Sequence, residues 1–207
     1  MTAARLTLIA ACAWNAGAQV IEFESNGLHY QTLTRGGLTI MYAHLPTVLK
    51  DYTVLQVAVS NGSPTAWTIK PEDFHFEREA GEPLRPEPAR KVVERMLDHA
   101  GRNEVIRLVS TYEMSLYGLS RITSTNGYEQ RRQAALAEVS SARIKAAAAA
   151  SAIAFVNAKL APGESTDGAV FYLTHGKPWG AGRLRVRAAG EVFEFDKDTP
   201  PAEGAAK

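Results

Sequence analysis

Cysteine is nearly missing from this chain: Cys12 is the only one in 207 residues. A disulfide framework and a cysteine-based zinc site are both excluded. There is no HExxH pair, and the five histidines never stand four residues apart. GxSxG and SxxK are also missing, so the sequence offers no activated serine and, once Cys12 is removed, no thiol nucleophile. No glycine-rich loop leads from a strand into a helix to cradle phosphate. Formal net charge is only +1, which argues against bulk attraction to nucleic acid or anionic lipid. The longest apolar run falls well short of the roughly 20 residues that a membrane-spanning helix needs.

What is present begins with a secretory signal pattern. Arg5 precedes the short apolar run Leu6–Trp14, and Ala16 and Ala18 close it with small residues. Residues 1–18 are expected to be removed, leaving Gln19 first and a periplasmic or secreted protein without cysteine. The alternative is lipidation at Cys12, since Ile9–Cys12 resembles a lipobox and would give a lipid anchor. Only eleven residues precede Cys12, which is short for that route.

Three blocks follow. From about Gly27 to Glu87 the pattern is β. Gly37–Leu45 and Tyr52–Ser60 read as strands, and Leu55, Val57 and Val59 share one face because side chains alternate. Asn61-Gly62-Ser63-Pro64 is a turn signal. Trp67 with Ile69, and Phe74 with Phe76, form two inward pairs. Between them Pro71, which cannot donate to a ladder, marks an edge, a bulge or a change of sheet. Residues 88–160 switch to helical spacing. Val92, Val93, Met96 and Leu97 define one helix. Leu136, Val139, Ala142, Ala146, Ala149, Ile153 and Val156 predict a long one, from about Tyr128 to Lys159. The third block returns to β with Gly168–Thr174, Gly182–Arg187 and the pair Phe193 and Phe195. Residues 198–207 read as a disordered tail.

The expected architecture is therefore α+β: one domain over residues 19–197, an antiparallel β-sandwich with a helical insertion at 88–160 between strands. Two stretches sharpen this. Val54–Asn61 followed by Ile69–Phe74 and Gly81, and Ala161–Ser165 followed by Gly168–Phe171, resemble immunoglobulin-like domains of uncharacterised bacterial envelope proteins. That resemblance implies an extracytoplasmic accessory or interaction module, and it transfers no functional residue.

Candidate contact residues are few. His175, Lys177 and Trp179 share a glycine-rich loop, where an amphipathic ring could meet a partner; the competing expectation is that Trp179 folds back and caps the sandwich. Trp67 reads as core. Met41 and His44 could suggest copper, but a spacing of three on a strand points them to opposite faces. Residues 88–159 carry 11 Lys and Arg against 6 Asp and Glu, a net of +5, while the rest of the chain after residue 18 carries 11 against 16, a net of −5. Basic helices could thus dock on an acidic sandwich. Alternatively, Arg121, Arg131, Arg132, Arg143 and Lys145 could face an acidic envelope component. The leading expectation is a non-catalytic extracytoplasmic interaction or accessory module, with a protein partner or a second copy on the long helix. A periplasmic small-ligand or metal-binding protein is the alternative and an enzyme the third. No cofactor, metal site or catalytic residue is expected.

Overall fold

Three dipeptides turn the chain back on itself. Asn26-Gly27, Gly36-Gly37 and Ala189-Gly190 all have positive φ, between 51° and 79°. Paired positive φ values make the two-residue hairpin turn whose twist matches right-handed strands. In this computed structural model, which describes residues 19–46, 51–99, 110, 112, 130, 142–177 and 179–197, the first two turns join β1 (Ile21–Ser25), β2 (Leu28–Arg35) and β3 (Leu38–His44) into a meander, and the third joins the last two strands, Gly182–Ala188 and Glu191–Glu194. β4 (Tyr52–Asn61) pairs with β3. β5 (Trp67–Ile69), a turn of 3-10 helix (Pro71–Asp73), β6 (Phe74–Arg78) and α1 (Ala89–His99) follow. Next come α2 (Ala142–Ile153), β7 (Ala158–Leu160), β8 (Ser165–Leu173), β9 (Gly182–Ala188) and β10 (Glu191–Glu194).

All three sheets are antiparallel: a five-stranded one in the order β1-β2-β3-β4-β8, a three-stranded one in the order β10-β9-β6, and the small pair β5-β7. Pro71 marks a change of sheet, because β5 belongs to the small pair and β6 to the three-stranded sheet.

The strands β3, β4 and β8 of the five-stranded sheet are buried on both faces. Leu55, Val57 and Val59 meet Phe74, Phe76, Leu184, Val186 and Phe193 from the three-stranded sheet. Val54 and Ala58, one residue out of step, meet Val92 and Met96 of α1 and Ala147, Ala150 and Ile153 of α2. The layers are thus helices, long sheet, short sheet, which is an α+β arrangement. On the helix side the facing residues are small (Ala43, Ala58 and Ala169 from the sheet), so the alanine-rich α2 can lie close to it.

Leu55→Ala and Val57→Ala should each destabilise by roughly 2–5 kcal/mol. Arg185→Ala removes only ion pairs to Glu77 and Glu194 on a partly exposed face and should cost about 1 kcal/mol or less. Urea midpoints decide this; equal shifts for Leu55→Ala and Arg185→Ala would mean the faces are reversed.

The helical block ends earlier than its periodicity suggests. Ala154 bridges in parallel to Ala169, and residues 158–160 form β7. Val156, expected on the buried helix face, is 37% exposed. Alanine, isoleucine and valine satisfy either period, and the backbone partners offered by β5 and β8 decide for strand. The part of the expected long helix that is described, α2, would be about 18 Å long. It lies against α1 and the sheet. The rest of that prediction, including Leu136 and Val139, lies outside the described residues, as do residues 1–18 and 198–207.

Candidate functional site

The loop after β8 turns inward. His175, in left-handed backbone (φ 52°), and Lys177 are exposed. Trp179 is only 3% exposed. Its ring centroid lies 4.2 Å from Phe76, 4.7 Å from Tyr172 and 5.1 Å from His44. Trp179 is therefore packed into the core between the two larger sheets, away from the exposed part of its loop. His44 packs among Tyr42, Phe76 and Trp179, on the sheet face opposite Met41, which faces the helices. Trp67 is half-buried against the core, and its Nε1 donates to Ser63 Oγ at 2.9 Å.

Tyr172, beneath Trp179, donates to the Phe74 carbonyl at 3.2 Å. Burial pushes its phenol far above the ordinary value near 10. A folded-state pKa above the unfolded one stabilises fully below the unfolded pKa and is lost as pH rises past it. Unfolding free energy should therefore fall above about pH 10, and the fall should be shallower in Tyr172→Phe. Identical slopes would mean that the ring end is open to water.

Of the basic candidates, Arg121, Arg131 and Arg132 lie outside the described residues, as does Cys12; Arg143 and Lys145 lie on α2, with side chains outside them. Among the described residues no three His, Cys, Asp or Glu side chains gather as a metal site, and no helix is long and apolar enough to cross a membrane.

The sheet edges distinguish one flank of the molecule from the other. On one flank, Leu84 exchanges two backbone bonds with Phe76 of β6, 3.0 and 2.8 Å. Just after it, Pro86 bridges to Tyr172 and the Glu87 N–H donates to the Phe171 carbonyl of β8 at 2.7 Å. Residues 84–87 thus lace the two sheets together along their exposed edges. The Phe155 N–H, bonded to the Ala169 carbonyl at 2.9 Å, covers β8 further along.

The other flank ends in β1, and no described segment runs along its outer edge. β10 also ends its sheet, but it is short and packs against β2. Among the described residues β1 pairs with β2 alone: Ile21 with Thr32, Glu22 with Gln31, Phe23 with Tyr30, Glu24 with His29, and Ser25 with Leu28. Across a two-residue turn the Ser25–Leu28 pair is the hydrogen-bonded one, and bonded pairs alternate along the ladder. Phe23 and Ile21 therefore bond to β2, while the N–H and C=O of Glu22 and Glu24 point outward. No described backbone group bonds to them.

The strand's two faces differ in chemistry. Ile21 and Phe23 share the face of Tyr30 and are 62% and 37% exposed. Phe23 stacks on Tyr30, with centroids 5.2 Å apart and planes 10° apart. Tyr30 is held in turn, its hydroxyl donating to Gln56 Oε1 at 2.9 Å across the small side chain of Ala43. Next to this pair, the hydroxyl of the buried Tyr112 donates to Asp167 Oδ2 at 2.5 Å. Glu22 and Glu24 occupy the opposite face. Glu22 Oε1 accepts from Gln31 Nε2 at 3.0 Å, and its Oε2 lies 3.7 Å from His29 Nε2.

Sequence reasoning started the β block at Gly27 and so missed β1. The signal was there: Asn-Gly between the alternating stretches Ile21–Ser25 and Leu28–Leu33 is a hairpin signature.

No family model, curated protein or solved structure matches this chain.

Proposed function

We propose that this chain is a non-catalytic, extracytoplasmic interaction module, an accessory subunit of an envelope assembly built on an immunoglobulin-like frame. The strand order supports the frame. β3, β4 and β8 follow one another as strands A, B and E do in immunoglobulin sandwiches, and β10, β9 and β6 as G, F and C. The helices and β7 occupy the connection from C to E, where strand D would lie, and the β1–β2 hairpin extends the sheet beyond A. The charge, apolar run and small residues of the first 18 positions support export.

The observation that carries the interaction reading is the edge of β1, which no described segment covers, with an exposed apolar pair beside it. An open, partly apolar edge strand is a template for another chain, and the opposite flank of the same molecule is laced shut. In this reading the contact surface is β1 and not the helix layer, since the described residues of α1 and α2 pack on the sheet. The test is photo-crosslinking in the native envelope from Ile21, with Arg187 on the far sheet as control. A discrete protein adduct from Ile21 and none from Arg187 is the expected result. Absence of any adduct from either position, with the protein folded and exported, would remove the interaction reading.

A further inference from the structure

We infer that β1 takes up an extended partner strand whose side chains alternate basic and apolar, adding a sixth strand to the long sheet. The inference rests on the interaction reading above and names its partner's chemistry.

Backbone geometry supplies the first requirement. The outward N–H and C=O of Glu22 and Glu24 lie two residues apart, a spacing of about 6.6–6.8 Å that an incoming strand matches residue for residue. Strand addition to such an edge draws its binding energy from main-chain bonds and its specificity from alternate side chains. Removing either glutamate's outward N–H would not touch the ladder to β2, because those bonds come from Ile21, Phe23 and Ser25.

Side-chain chemistry supplies the specificity. Residues directly opposite on paired strands stand about 4.5–5.5 Å apart at Cβ, where opposite charges attract and like charges repel. On one face the newcomer meets Glu22 and Glu24. Gln31 donates to Glu22 from within the sheet, and His29 lies beside it. Glu24 has no ion-pair partner among the described residues. Lysine or arginine opposite these carboxylates is favoured. On the other face it meets Ile21 and Phe23, whose exposed surface calls for apolar residues. Phe23 is pre-positioned by its stack on Tyr30, so little side-chain freedom is lost on docking.

The same geometry disfavours a second copy of this chain. Pairing through the outward groups matches even-numbered residues with even-numbered ones. An antiparallel pair centred on Phe23 sets Glu22 opposite Glu24 twice; centring on Glu22 or on Glu24 sets that residue against itself. Each of these registers puts carboxylates face to face, and a register centred on Ile21, which sets Glu22 opposite Val20, leaves Glu24 without a described residue opposite it. The glutamates thus act as a repulsive filter, blocking self-pairing while admitting a basic strand.

The probe is a short blocked peptide alternating lysine and valine, compared with one alternating glutamate and valine, each added to the purified protein. The lysine peptide should slow amide hydrogen exchange at Glu22 and Glu24 by about tenfold or more, and added salt should weaken the effect. The glutamate peptide should give no protection. Glu22→Lys with Glu24→Lys should reverse the preference. Glu22→Pro should weaken peptide protection at Glu24 without moving the melting temperature, since proline is tolerated where an edge N–H faces solvent. Equal protection by both peptides, or protection elsewhere than β1, overturns the inference. A concentration-dependent dimer without peptide, lost in Glu22→Pro, would make a second copy the occupant instead. An Ile21 adduct in the envelope combined with no response to the lysine peptide overturns the strand chemistry alone and leaves the interaction module standing.

Discussion

Gly168→Ala should lower the thermal midpoint by about 10 °C, a large effect for a single added methyl group. Gly168 lies inside β8, opposite Val57 of β4. A Cβ built there would stand 2.5 Å from the Cα of Phe155, 2.7 Å from its nitrogen and 2.9 Å from its Cβ. The obstacle is backbone, so no rotamer change relieves it. That backbone is held by the bond from the Phe155 N–H to Ala169, and its ring is buried 5.4 Å from Phe74. After α2 the chain wraps around the edge of β8. Ala154 belongs to the helix-side core and Phe155 to the core between the sheets. A methyl group at 168 pushes on this wrap, and overpacking of that kind costs about 3 kcal/mol or somewhat more. Gly163→Ala is the control. Its φ is 82° but the space around it is open, so only the left-handed backbone is penalised, by about 1–2 kcal/mol. Equal midpoint losses for the two variants would mean that Phe155 does not run along β8.

Asn61→Ala should cost about 3–4 kcal/mol, because it strips one buried amide from a junction of four segments. Asn61 is fully buried at the end of β4. Its Nδ2 donates to the carbonyls of Thr65 at 2.8 Å and Leu160 at 3.0 Å. Its Oδ1 accepts from the Ser63 N–H at 3.0 Å and from Ser63 Oγ at 2.7 Å. Its main chain bonds to Glu164 and Gly163. Alanine would leave the Leu160 carbonyl and the Ser63 N–H without these bonds in a dry site. Asn61→Asp should do no better, since a carboxylate would face two carbonyl oxygens. Ser60→Ala, one residue away, loses a single half-buried bond to Ser165 Oγ and should cost about 1 kcal/mol or less. Chemical denaturation of the three variants orders them; Asn61→Ala no worse than Ser60→Ala would refute the junction.

These two residues show how much could be read in advance. Asn61-Gly62-Ser63-Pro64 stands out as a turn, since those residues favour one for local reasons. Nothing local says that the asparagine side chain reaches Leu160, ninety-nine positions away. Gly168 reads as a glycine at the start of a strand. The strand in fact begins three residues earlier, and the glycine serves a close approach by Phe155. β1, the candidate docking edge, was within reach of a two-residue hairpin signal. That no described segment covers it, while residues 84–87 and 154–155 cover β6 and β8, was not, because this depends on where distant segments run.

The sequence by itself determined the strands of the two sheets from β3 onward, the side of each that carries its apolar residues, and the place where the pattern turns helical. Those features depend on alternation, helical spacing and turn chemistry acting over a few neighbouring residues. The tertiary structure alone decided that Leu55 and Val54 are both core, that the helical stretch stops at Ile153, that Trp179 is sealed inside, and that one flank is laced while no described segment covers the other. In each case the deciding partner lies far along the chain: β8 for β4, Ala169 for Ala154, Phe76 and Tyr172 for Trp179. Hydrogen bonds and packing between distant segments outweigh the weak local preference of an alanine, a valine or a tryptophan, whose side chains suit a helix end, a strand or a capped loop almost equally well.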